Sequence, residues 1–159
     1  NTLEVSKIST LYKNQKEDKL FGKWVTLSDI FPLLKKHNNK FKISTIGSSE
    51  ENRAIYSLQI GSGNKRILVW SQMHGNESTG TRAMFDLLNC FSFANENFLE
   101  KIVKECTLIF VPILNPDGAE KYTRVNANGI DLNRDAVAQS QPEMKALIKT
   151  YNTFNPTCV

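Results

Sequence analysis

Two short apolar runs, Ile67-Leu68-Val69-Trp70 and Leu108 to Leu114, constrain this chain more than anything else in it. A strand with one face in water alternates apolar with polar residues, whereas a run without alternation reads as a strand covered on both faces. Between the two runs, Ala83, Met84, Leu87, Leu88 and Phe91 recur at helical spacing, and Phe98, Ile102 and Val103 indicate a second helical piece. Doubly covered strands separated by helices predict an α/β domain with a sheet that is parallel at its centre. Phe41 to Ile46 and Ile55 to Ile60 alternate on either side of the turn-rich stretch Gly47 to Asn52, which predicts an antiparallel hairpin and makes the sheet mixed. Thr26 to His37 predicts an amphipathic helix with Pro32 in its early turns, where a missing N–H costs least. Pro142 to Phe154 predicts another helix, acidic early at Glu143 and basic later at Lys145 and Lys149, in dipole order.

A length of 159 residues is one domain's worth, read here as a helical lead-in over 1–40 and the α/β domain over 41–159. No apolar stretch approaches the roughly 18 residues of a membrane-spanning helix, so no membrane partner is expected. The 20 basic and 16 acidic residues leave a net charge of +4 that is scattered along the chain, which gives no reason to expect a nucleic-acid partner. Cys90, Cys106 and Cys158 have neither the number nor the spacing of a disulfide framework or zinc knuckle, and no signal segment is visible. Reduced thiols and a cytoplasmic location are the expectation. Thr157-Cys158-Val159 reads as the start of a strand, so the chain is expected to continue beyond it, with an exposed sheet edge open to pairing as a homodimer.

Three polar clusters carry the chemistry. His74-Gly75-Asn76-Glu77 follows the first apolar strand and precedes a helix, at the carboxyl end of a strand where ligand sites collect. An imidazole and a carboxylate three positions apart suit a zinc site with an open position, although this pair alone is weak evidence. Asn115-Pro116-Asp117-Gly118 follows the second strand and reads as a type I turn. Arg124-Val125-Asn126-Ala127-Asn128-Gly129-Ile130-Asp131-Leu132-Asn133-Arg134 sets two guanidinium groups in a turn-rich segment, suited to a carboxylate or a developing oxyanion.

In this order the three clusters resemble the motifs of the zinc carboxypeptidases, or metallocarboxypeptidases, over roughly residues 41–159. The resemblance implies an α/β/α sandwich on a mixed eight-stranded sheet, with the C-terminal part absent. It implies a single Zn²⁺ held by His74 and Glu77, with Asp131 orienting His74 through its other ring nitrogen. It further implies that Arg124 polarises the scissile carbonyl, while Asn133 and Arg134 grip the free C-terminal carboxylate of a peptide or protein substrate. The implied activity is hydrolysis of the C-terminal peptide bond by metal-activated water. The family's third ligand, a histidine, and its glutamate base are expected beyond Val159, so this segment alone is expected to be inactive and to hold zinc weakly. His37 precedes every motif and reads as a solvated helix-end residue, and Glu143 as a capping or packing residue. A related zinc deacylase of the desuccinylase and aspartoacylase type is the alternative enzyme, and a non-catalytic binding module that keeps the fold is the alternative outside catalysis.

Overall fold

The computed structural model describes residues 5–159, and the first four residues of the lead-in lie outside the described part. A four-stranded mixed sheet forms the centre, in the spatial order β1 (Lys42–Ser48), β2 (Ala54–Gly61), β4 (Cys106–Val111), β3 (Lys65–Trp70). The hairpin β1–β2 and the pair β2–β4 are antiparallel, whereas β3 and β4 run parallel from Lys65↔Cys106 to Trp70↔Val111. The parallel pair needs a crossover, and α3 (Thr79–Phe93) and α4 (Asn97–Glu105) supply it.

Alternate residues of β3 and β4 enter different cores, which is why neither strand alternates in polarity. Ile67, Val69, Leu108 and Phe110 pack with α2 (Leu27–Lys36), α3 and α4 on one face. Leu68, Trp70, Ile109 and Val111 pack with Leu132 of α6 (Leu132–Asp135) and with Met144 and Leu147 of α7 (Pro142–Phe154) on the other. The result is an α/β/α sandwich. The lead-in joins the first core through Leu20, Val25, Ile30, Leu33 and Leu34, while α1 (Val5–Gln15) lies on α3 without a buried residue of its own. The C-terminal segment adds to the free side of β3, where Leu68 N–H donates to Cys158 O at 3.1 Å. No helix among the described residues is long and apolar enough to cross a membrane.

Four local expectations are corrected by the structure. The second apolar run is strand only from Cys106 to Val111, because Pro112 has no N–H to continue the ladder. Pro32 is the sixth residue of α2, beyond the free N–H groups of the first turn, so it deletes one helical hydrogen bond. Asn115-Pro116-Asp117-Gly118 opens the short helix α5 (Pro116–Lys121), with the Asn115 side chain accepting from Gly118 N–H at 2.8 Å as its N-cap. His37 is 1% exposed rather than solvated, because rings from Phe41, Phe85 and Phe93 close around it while Nδ1 pairs with Ser92 Oγ at 2.7 Å. Burial, assisted by the neighbouring Lys36 ammonium, pulls its pKa down to about 4.

Candidate metal centre

The rim that carries the candidate residues is built by hydrogen bonds that continue past the strand ends. Ser71 N–H donates to Val111 O, and Leu114 N–H and Asn115 N–H donate back to Ser71 O and Gln72 O. Gln72 is buried with φ at 49°, in the left-handed region that turns the chain out of the sheet. Its side-chain amide donates to Gly75 O at 2.8 Å and to Val25 O at 2.7 Å, which ties the loop to the segment before α2. Gly75 lies directly on α5, and a Cβ there would overlap the backbone of Gly118 and Ala119. The glycine therefore sets how closely the His74 loop approaches the Asn115 motif.

His74 and Glu77 converge as the resemblance implies. Nδ1 of His74 lies 3.0 Å from Glu77 Oε2, and Nε2 lies 3.1 Å from Asp131 Oδ1. Arg124 closes the ring, donating from Nε to Asp131 Oδ2 at 3.0 Å and from Nη1 to Glu77 Oε1 at 3.2 Å. Asp131 also caps α6 by accepting from Asn133 N–H at 2.9 Å. Burial by itself would raise its carboxyl, but the hydrogen bonds from Arg124, His74 and Asn133 outweigh that and hold it below the usual range. Asn133 and Arg134 are exposed on α6, and among the described residues their side chains make no hydrogen bond or ion pair. A cleft of about 620 Å³ opens beside His74 and Glu77, lined also by Trp70, Met73, Arg82 and Tyr122, among others.

The donor set fits a cation. When the Nε2 proton is spent on Asp131, Nδ1 presents a lone pair to a carboxylate 3.0 Å away. Two acceptors that close need a proton or a metal ion between them. Among the described residues no group of three or more His, Cys, Asp or Glu side chains gathers around one point, so this segment offers two protein donors.

Asn126 and Asp117, both within the motif clusters, and the buried Glu143 complete the support. Asn126 is buried in the loop between Arg124 and Asp131, and its Nδ2 donates to Gln141 Oε1 at 2.8 Å and to Glu143 Oε2 at 3.2 Å. Glu143 is fully buried and also accepts from Glu50 N–H at 3.3 Å, which bears out packing rather than a role at the cleft. Burial raises its carboxyl, and the nearby Asp117 charge adds to that. Asp117 accepts from Ser49 Oγ, Glu51 N–H and Arg53 Nη1, fastening the β1–β2 turn to α5.

The profile of the zinc carboxypeptidase family matches residues 30–157, and the chain belongs to that family. Among its relatives, carboxypeptidase D of Mus musculus is 33% identical over 128 residues, covering 67% of this chain and 9% of that protein. A probable carboxypeptidase 2 of Arthroderma benhamiae is 29% identical over 116 residues, covering 72% and 20%. The metallo-carboxypeptidase of Burkholderia cenocepacia superposes with a TM-score of 0.76 at 22% identity, covering 81% of this chain and 38% of that one. At that identity the likeness speaks for the fold. The chain thus spans about a tenth to a fifth of the length of these sequence relatives and over a third of the structural one.

Proposed function

We propose that this chain carries one half of the active site of a zinc-dependent carboxypeptidase, a hydrolase that removes residues from the C-terminus of peptides or proteins. The observation that carries the reading is the His74 Nδ1 to Glu77 Oε2 approach of 3.0 Å, with Asp131 holding the opposite ring nitrogen. His74 and Glu77 would hold Zn²⁺, with a third protein donor expected outside this sequence. When bound, the ion supplies Lewis acidity toward a water molecule and toward the scissile carbonyl. Asp131 fixes the tautomer and orientation of His74, as carboxylate partners of metal-bound imidazoles do. Arg124 spends Nε and Nη1 on the two carboxylates, which leaves Nη2 for a carbonyl oxygen as charge develops on it. Loss of one such donor costs about 10²–10³ in turnover. Asn133 and Arg134, exposed and uncommitted, are assigned to the free carboxylate of the substrate, where a planar guanidinium binds in bidentate fashion.

Metal analysis of this chain after dialysis is expected to find well under one zinc per molecule, and tight stoichiometric zinc would contradict a missing third donor. A longer protein containing this segment is expected to cleave peptides with free C-termini and to lose activity with chelator. Equal cleavage of amidated peptides would remove the role given to Arg134. Hydrolysis of acylated amino acids in place of peptides would favour a deacylase.

A further inference from the structure

Both site residues of the loop after α5, Arg124 and Asp131, are exposed or half-buried and reach Glu77 and His74 from a segment with little secondary structure. Left to itself, such a segment would not hold a guanidinium and a carboxylate at hydrogen-bond distance from His74 and Glu77. Something inside the protein must fix it. Asn126 uses every polar group it has. Its backbone N–H donates to Ile130 O at 2.9 Å and its backbone O accepts from Gly129 N–H at 3.0 Å, so residues 126–130 close on themselves. Its Oδ1 accepts from Asn128 N–H at 3.1 Å and Ile130 N–H at 3.0 Å. Its two Nδ2 protons go to Gln141 and Glu143 at the start of α7. Glu143 is anchored in turn by Glu50 N–H of the β1–β2 turn, and α7 lies against the sheet through Met144 and Leu147.

We propose that Asn126 is a positioning residue for the metal centre, transmitting the fixed placement of Glu143 on α7 and of Gln141, its N-cap, to Arg124 and Asp131. The role rests on the peptidase reading for its purpose, but its geometry can be tested without metal or substrate. The contact with Glu143 is the informative one, because its donor and acceptor can be exchanged. Asn126→Asp keeps the Oδ1 bonds to Asn128 and Ile130 but puts a second carboxylate against Glu143. Glu143→Gln added to it supplies an Nε2 donor at the same place and leaves one oxygen for Glu50 N–H. The double variant restores a hydrogen bond of reversed polarity.

The readout is solvent exchange of the Arg124 Nε–H proton, followed by nuclear magnetic resonance well below the melting temperature. That proton is held by Asp131 at 3.0 Å, and no metal is needed for it to be protected. Asn126→Asp is expected to speed its exchange about tenfold or more, the size of one disrupted buried hydrogen bond. The double variant repairs the contact at residue 143 but not the Nδ2 bond to Gln141, so it is expected to slow the exchange severalfold from that of Asn126→Asp without reaching the starting protein. A residue that only stabilised the fold would lower the melting temperature and leave this proton's exchange unchanged, which would overturn the proposal. So would a double variant that recovers stability but leaves exchange fast. If Asn126→Asp does not fold, Glu143→Gln alone decides the matter: it removes one of two acceptors, is expected to speed exchange severalfold, and unchanged exchange would count against the proposal. Absence of zinc-dependent hydrolysis in a longer protein would defeat the peptidase reading and leave this result standing.

Discussion

Gly75→Ala would separate the two motifs that the sequence places far apart. The backbone at Gly75 is outside the left-handed region, so alanine is conformationally acceptable there and only its Cβ is excluded. That Cβ would collide with the backbone of Gly118 and Ala119, atoms that cannot rotate aside as a side chain can. Overpacking typically costs about 1–3 kcal/mol, and a backbone obstacle belongs at the upper end. Withdrawing the loop also strains Asn76 N–H to Thr123 O at 3.1 Å and Gln72 Nε2 to Gly75 O at 2.8 Å, each worth about 1 kcal/mol. Together these give a loss of about 3–5 kcal/mol, or roughly 10 °C in melting temperature for a chain of this length. Gly80→Ala is the matched control. Its Cβ would meet the movable Ser71 Oγ, and alanine is favoured over glycine in a helix by about 1 kcal/mol, so the two effects nearly cancel. Thermal unfolding followed by circular dichroism compares the two. A Gly75→Ala variant within about 1 kcal/mol of Gly80→Ala would show that the rim is not packed as described.

The acid limb of stability should have two separable parts. His37 titrates near 4 in the folded protein and near 6.5 when unfolded, so stability falls as pH drops from about 6.5 toward 4, by at most about 1.4 kcal/mol per pH unit. His37→Phe, placed among Phe41, Phe85 and Phe93, should flatten that interval in urea titrations, and an unchanged slope would refute the neutral buried imidazole. Asp131, held below the ordinary value of 3.8, contributes stability that is present above that value and lost only at lower pH. Asp131→Asn should reduce that lowest-pH loss, and because asparagine caps a helix as well as aspartate does, the loss of the carboxylate partner of Arg124 should cost no more than about 1 kcal/mol at neutral pH. Phe110→Ala, at the centre of the first core with 1% exposure, should cost about 3–5 kcal/mol in denaturant unfolding, and a loss below 1 kcal/mol would contradict its placement.

Much of the architecture is legible because it depends on local pattern. The spacing of Met84, Leu88 and Phe91 predicts α3, and the unbroken run from Ile67 to Trp70 predicts a strand covered on both faces. The convergence of His74 and Glu77 is equally local, since a turn closed by Glu77 N–H on His74 O folds the two side chains together. The misreadings arise where distant elements decide. His37 looks solvated beside Lys35 and Lys36, and only the arrival of Phe85 and Phe93 from α3 buries it. Asn115-Pro116-Asp117-Gly118 carries turn chemistry, yet the same Asn and Pro serve equally as N-cap and first residue of a helix.

From its residues alone this chain determines the type of its main strands and helices, the faces they cover and the turn that brings His74 and Glu77 together, because periodicity and short turns act within a few residues. Only the tertiary structure decides that Asp117 meets Ser49 and Arg53, that Glu143 meets Asn126, and that Gly75 rests on α5. Those contacts join segments whose separation in sequence says nothing of their distance in space. Buried polar groups must find partners wherever the packed sheet and helices bring them, and that requirement belongs to the whole fold.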